Sequence, residues 1–281
     1  MRTLIFGCNG QLGRELSARF RREGEVRGAD LPEVDIGDAE SVAAVFGRFP
    51  SDLVINAAAF TDVEGAEDHI EEAFRVNERG ASNIAAAAAR AGLPVVYYST
   101  DYVFDGKKDS PYTPEDGVAP LSVYARSKAA GETATRAANP HSFVVRTAWL
   151  YGQGGNNFVE KILAAARKRP ALKVVEDEVG SPTYAHDLAE ATAALCRTDA
   201  YGTYHVVNAG SCSRFEFASA IVRLAGLDTP VTACMASEFP TKARRPPYSA
   251  LSNAEFESVT GSIMRPWEEA LEDYLKRRSD T

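Results

Sequence analysis

The stretch LSVYARSKAAG (121–131) sets a phenol, Tyr124, and an ammonium, Lys128, four residues apart. On a helix that spacing puts both on one face. A cation beside a phenol lowers its pKa, and a phenol so tuned can pass a proton to an oxygen that is gaining negative charge. The same spacing occurs on ordinary helix surfaces, so the pair takes its meaning from its company. Thr100, in YSTDYVF (98–104), adds a hydroxyl able to hydrogen-bond a carbonyl oxygen. Hydroxyl, phenol and ammonium together suit the reduction of a ketone.

A hydride source is legible upstream. FGCNGQLG carries Gly7, Gly10 and Gly13 at G-x-x-G-x-x-G spacing, with Gln11 and Leu12 opening the helix that follows. Glycines there permit a tight turn and let backbone approach a pyrophosphate, while the helix N-terminus offers unpaired N–H groups to the phosphates. This predicts a dinucleotide site. Asp30, 17 residues past Gly13, stands where a carboxylate accepts from the adenosine ribose and repels a 2′-phosphate, which tilts the expectation toward NADH over NADPH; the other reading is a solvated turn aspartate. Asp35 and Ile36 lie within reach of the adenine. Ala57, Ala58 and Ala59 would let a cofactor lie against backbone, although packing explains alanines equally well. Tyr98 ends the strand before Thr100. With NAD(P)H in place, Tyr124 protonates the ketone oxygen. Lys128 and the nicotinamide cation lower the phenol from about 10 toward neutrality, and Lys128 also holds the nicotinamide ribose.

The elements that must position these groups alternate. Candidate strands are RTLIF (2–6), EVRGA (25–29), DLVIN (52–56), PVVYYS (94–99) and SFVVRT (142–147), each apolar enough to be buried on both faces. Helical patterns lie between them: Leu12, Leu16 and Phe20 recur at i, i+4 and i+8, and a long alanine-rich run ends near Gly92. The pattern predicts an α/β fold, a Rossmann-type doubly wound parallel sheet over residues 1–150. Residues 151–281, loop-rich and proline-rich, form a second, smaller substrate-binding domain, with the helix near 186–197 packing back on the first.

Composition narrows the partners. The 281 residues are 45% hydrophobic, enough for a full core, and carry a formal charge of −8. That balance argues against nucleic acid and anionic membrane surfaces, which need broad basic faces. No run approaches the roughly 18 apolar residues of a membrane span, and Cys8, Cys196, Cys212 and Cys234 are scattered, without metal spacing. A cytoplasmic enzyme is the expectation. Lys242, Arg244 and Arg245 concentrate positive charge suited to a diphosphate, or form a solvated run. Trp149 can wall a sugar ring or fill the seam between domains.

With FGCNGQLG, DIGD, NAAAFTDVEGAE, YSTDYVFDG, PLSVYARSKAAGE, GNNFV, GSPTYAHDLA and ARRPPYSALS, the chain resembles the extended short-chain dehydrogenase/reductase family. Within it, the chain is most similar to the dTDP-4-dehydrorhamnose reductases. The resemblance implies a catalytic trio of Thr100, Tyr124 and Lys128. It implies a nucleotide-sugar substrate touched by Thr100, Asp101, Phe104, Trp149, Asn157, Lys242 and Arg245. It implies hydride transfer from NADH or NADPH to C4 of dTDP-4-dehydro-L-rhamnose, in a monomer or homodimer. Some reductases of this family hold Mg²⁺ through glutamates. Glu15 matches one such position, but His186 replaces another, and histidine is a poor ligand for a hard cation. No metal is therefore expected. Alternatives are a nucleotide-sugar epimerase of the same fold, or a non-catalytic binding subunit like the methionine adenosyltransferase β subunit. A dehydratase would need a glutamate where Tyr102 stands.

Overall fold

The computed structural model describes residues 1–279. Strands β1 (Arg2–Phe6), β2 (Glu25–Ala29), β3 (Leu53–Asn56), β4 (Val95–Thr100) and β5 (Ser142–Thr147) form a parallel sheet. Short strands follow: β6 (Leu150–Tyr151), β7 (Leu172–Val175), β8 (Val179–Gly180), β9 (Thr183–Tyr184), β10 (Gly202–His205), β11 (Cys212–Ser213) and β12 (Val231–Cys234). The large sheet runs β10-β5-β4-β3-β1-β2. The sequence puts TYHVVNA in the second unit, yet β10 pairs in parallel with β5 as the sixth strand, Tyr204 beside Val145. A boundary drawn near residue 150 therefore does not enclose the sheet. β2, expected to be buried on both faces, is the opposite edge, and only its Ala29 is buried.

The helices are α1 (Gln11–Phe20), α2 (Ala39–Arg48), α3 (Ile70–Phe74), α4 (Ala81–Arg90), α5 (Val123–Ala138), α6 (Phe158–Ala166), α7 (Ala185–Leu195), α8 (Arg214–Leu224), α9 (Ala254–Thr260) and α10 (Trp267–Ser279). Alternating strand residues face two layers. Ile5, Ile55, Val96 and Val145 pack with Leu16 and Phe20 of α1 and Leu188 of α7. Leu4, Phe6, Val54 and Val95 pack with Val42 of α2 and Ile84 and Ala88 of α4. A separate core joins α6, α8 and α10 through Leu163, Phe217 and Leu271.

The predicted alanine-rich helix is interrupted. Residues Arg75–Gly80 form a π-helical turn between α3 and α4, a feature that recurs at functional sites. It carries Asn77, whose side chain bonds both the N–H and the C=O of Phe60 and the Ser127 hydroxyl. The loop after β3 is thereby tied to α5.

Helix α5 carries Tyr124 and Lys128 and is seated closely. Ser122 caps it by accepting from the Ala125 N–H. A Cβ built on Gly131 would lie 2.2 Å from both the Asn77 carbonyl oxygen and the Tyr97 hydroxyl. One residue on, Glu132 takes a bidentate pair from buried Arg146 of β5 at 2.9 and 2.8 Å. Removing one partner of such a pair costs about 3–5 kcal/mol, because the other charge stays buried alone.

Candidate active site

The strand order reverses between β1 and its neighbours β2 and β3, and a crevice opens there. Gly7, at φ 76°, lets the chain turn after β1, and a Cβ on it would lie 2.5 Å from Ala58 N. Gly10 caps α1 without a side-chain bond, so the first N–H groups of the helix face the crevice. The cleft occupies about 1050 Å³. Gly7, Gly10, Gln11, Leu12, Asp30, Asp35, Ile36, Ala57, Ala58, Ala59 and Tyr98 line one end, and Thr100, Asp101, Tyr124, Lys128, Trp149, Asn157 and Arg245 line the other.

Three expected residues lie elsewhere. Gly13 sits behind the loop, where a Cβ would strike the Gly7 carbonyl at 2.0 Å, so its role is helix–loop packing. Phe104 is fully buried, stacked on Tyr112 at 4.1 Å with Arg146 over its ring, and forms core. Lys242 is exposed outside the cleft and pairs with Asp68.

The end of the cleft beside the glycine loop is polar and prearranged. Asp30 accepts from the N–H groups of Asn9 and Leu31 at 2.8 and 2.9 Å. Asp35 accepts from Arg75 at 2.7 Å, and Glu72 holds the rest of that guanidinium. Arg75 is a cleft cation that the sequence reading missed; its only signal is its place just before Val76–Asn77.

At the reactive end, Thr100 gives its hydroxyl hydrogen to Asp101 Oδ1 at 3.0 Å and accepts from the Tyr102 N–H at 3.1 Å. The expectation that Thr100 donates to a carbonyl meets this prior partner. Lys128 is buried, and its ammonium donates to the Tyr98 carbonyl at 2.6 Å. Burial destabilises that ammonium and brings its pKa down to about 7, against a raising effect of Glu132. The Tyr124 phenol moves the opposite way from the sequence expectation: burial and then the Asp101 carboxylate push it up, while the Thr100 hydroxyl draws it down. The phenol is held protonated, as a proton donor must be. Burial also raises the Asp101 carboxyl to about 6, against hydrogen bonds from Ser249 and Thr100 and the charge of Arg214.

The residues fit a phosphate-bearing cofactor and substrate. Among the described residues six buried side-chain polar atoms have no partner, and three of them, Ser99 Oγ, Thr147 Oγ1 and Arg245 Nε, belong to residues that line this cleft. Buried polar atoms are usually paired by protein, water or a bound ligand, so these three are available to one. Arg245 also pairs with Glu64 at 2.9 Å. Asn157 caps α6 and donates to Gln11 Oε1 at 2.8 Å, joining the second unit to the glycine loop. Trp149 has φ 45°, a strained conformation that concentrates at functional sites. Its ring lies between Gly180, where a Cβ would be 2.5 Å away, and the Arg214 guanidinium 3.6 Å from the ring centre. Arg214 was not anticipated, since nothing local marks it. It also lines a second hollow of about 340 Å³ with Tyr102, Phe158, Ile162 and Phe239, and Arg245 borders both spaces.

Glu15 and His186 meet at 3.3 Å, with Arg277 at 3.3 Å from the other imidazole nitrogen. That donor set, with a guanidinium in it, does not fit a magnesium ion. Among the described residues no helix is long and apolar enough to cross a membrane.

The chain is similar to known proteins over nearly its whole length. The spore coat polysaccharide biosynthesis protein SpsK of Bacillus subtilis is 42% identical over 279 residues, covering 99% of this chain and 98% of that protein. The dTDP-4-dehydrorhamnose reductase of Mycobacterium tuberculosis is 41% identical over 278 residues, 96% of this chain and 91% of its own. The crystal structure of dTDP-4-dehydrorhamnose reductase from Bacillus anthracis in complex with NADP superimposes with a TM-score of 0.96 at 38% identity, covering 98% of this chain and 99% of that one. The model of the family described as RmlD substrate binding domain matches residues 1–279, and the chain belongs to that family.

Proposed function

We propose that the chain is an NAD(P)H-dependent oxidoreductase that reduces the C4 ketone of dTDP-4-dehydro-L-rhamnose to dTDP-L-rhamnose. The observation that carries this is the meeting of Thr100, Tyr124 and Lys128 with the glycine loop in one cleft. Two relatives named dTDP-4-dehydrorhamnose reductase, 41% and 38% identical over nearly the whole chain, support it.

Bound NAD(P)H supplies the hydride. The N–H groups opening α1 would hold its pyrophosphate and Asp30 would accept from its adenosine ribose, an arrangement that would favour NADH. Lys128 would hold the nicotinamide ribose, whose hydroxyl acceptors would favour its charged form. Tyr124 gives its phenolic proton to the ketone oxygen as negative charge develops, a contribution of about 10²–10⁴ in rate. Thr100 orients that phenol. Arg245, with its unpaired Nε, holds the diphosphate of the substrate. Trp149, backed by Arg214, walls the sugar, and the hollow between Phe158, Tyr102 and Phe239 takes the nucleotide base.

The test is spectrophotometric: reductant consumption with the dTDP-ketosugar, NADH and NADPH in separate runs. Turnover requires both reductant and ketosugar. An epimerase would act without consuming reductant, and an inert binding subunit would not act at all; either result rejects the reductase reading.

A further inference from the structure

Glu64 lies in the loop after β3 and lines the cleft, as Arg245 does from the second unit. The two residues stand 181 apart in sequence and meet there: Glu64 Oε1 accepts from Arg245 Nη2 at 2.9 Å. Glu64 Oε2 accepts from the Lys242 N–H at 2.9 Å and from the Ala243 N–H at 3.4 Å. The Lys242 ammonium pairs with Asp68 instead. A guanidinium and two successive backbone N–H groups that converge on one anion form the kind of donor set that binds phosphate. In this chain a carboxylate of the protein fills it.

Arg245 keeps capacity beyond this contact. A guanidinium has five N–H groups, and those on Nε and Nη2 share an edge that can take two oxygens of one phosphate. Glu64 stands on Nη2, and Nε is buried without a partner. A phosphate on that edge must share Nη2 with the carboxylate or displace it, and in both cases like charges meet. Glu178 also borders Arg245 in the second hollow, but it pairs with Arg214 at 3.6 Å. The side chains of Arg245 and Glu64 are 30% and 39% exposed. A pair that open to water is weak enough for a ligand to break.

We propose that Glu64 determines affinity for the nucleotide sugar, as an internal anion that occupies Arg245 and competes with the diphosphate of the ligand for it. This rests on the reading that Arg245 holds that diphosphate. Substrate and product carry the same diphosphate, so the competition weakens both and favours release of product.

The test is calorimetric titration of the full chain with thymidine diphosphate (dTDP), which needs no turnover. Glu64→Gln removes the charge and keeps an acceptor for the two N–H groups. It is expected to tighten dTDP binding by about threefold to fivefold at low salt, the size of a partly exposed ion pair. The gain shrinks in high salt and is lost in the Arg245→Ala background. Glu64→Ala tightens binding likewise and covers the case in which the glutamine variant does not fold. Unchanged or weaker binding in the Glu64 variants overturns the proposal, as does a gain that persists without Arg245. Wild-type affinity in Arg245→Ala rejects the reading beneath it, whereas weakened binding there with Glu64→Gln unchanged rejects the competition alone. A chain that behaves as expected with dTDP but does not reduce the ketosugar supports the competition and rejects only the reductase reading.

Discussion

The Lys128 ammonium donates to the Tyr98 carbonyl at 2.6 Å and stands 4.3 Å from the centre of the Tyr97 ring. Both contacts are with the strand that ends in Thr100. In this arrangement the ammonium is a buried charge with one strong hydrogen-bond acceptor, and its effect on Tyr124 is not the dominant one.

The first prediction concerns Lys128 without cofactor. Burial brings its pKa from 10.5 to about 7. Between those values the unfolded chain binds more protons at this group than the folded chain does. Its contribution to stability therefore rises with pH across that window and is least favourable below about 7. Cofactor-free Lys128→Met is expected to be more stable than wild type at pH 6, with the difference shrinking toward pH 10. Urea unfolding of both proteins across that range checks it; a difference independent of pH contradicts the assignment.

Tyr124→Phe removes the proton donor and leaves the glycine loop intact. Turnover is expected to fall by about 10²–10⁴, while NADH affinity, read by quenching of protein fluorescence, stays within about threefold. Simultaneous loss of cofactor binding would make Tyr124 a structural residue.

Arg245 and Lys242 are expected to separate. Arg245→Ala exposes the cleft to an unneutralised diphosphate and raises KM for the nucleotide sugar by about tenfold or more, since a hydrogen bond to a charged group contributes about 1.5–3 kcal/mol. Lys242→Ala removes only the surface pair with Asp68, a contact of about 0–1 kcal/mol, and leaves KM within about twofold. Steady-state kinetics on both variants decide this, and equal effects would return Lys242 to the binding surface.

Phe104→Ala opens a cavity among Tyr112, Arg146 and His205. The expected cost is about 3–5 kcal/mol of stability, measured by chemical denaturation, with KM for both substrates unchanged in the protein that remains folded. A raised nucleotide-sugar KM without lost stability would place Phe104 at the substrate.

Most of the sheet and the glycine loop were legible because their signals are local. Buried parallel strands are short apolar runs, and a glycine loop between strand and helix marks a tight turn. Thr100, Tyr124 and Lys128 were legible for a related reason: two share a helix face, and the third ends a strand. What stayed hidden depends on long-range closure. β10 carries the same apolar pattern whether it joins the large sheet or a small one, and only pairing with β5 decides it. Arg214 meets Trp149 across 65 residues of chain, and Ser249 meets Asp101 across 148. Phe104 went astray because proximity in sequence to Asp101 says nothing of which way a side chain turns after a short 3₁₀ turn. The direction of the Tyr124 shift was missed because a spacing of four residues carries no information about desolvation.

Gly131 sets a gauge for the chemistry one and two turns earlier on its helix. Because the place of its side chain is already filled by the Asn77 carbonyl and the Tyr97 hydroxyl, even a methyl group would act as a shim, lifting the whole rod off the strands beneath. Phenol and ammonium would rise with it, and a displacement of about 1 Å can cost about 10²-fold in rate. The height of the Tyr124 oxygen above the sheet is thus fixed by an omitted atom. Redesign of the cleft can begin elsewhere along its walls while that clearance is left alone.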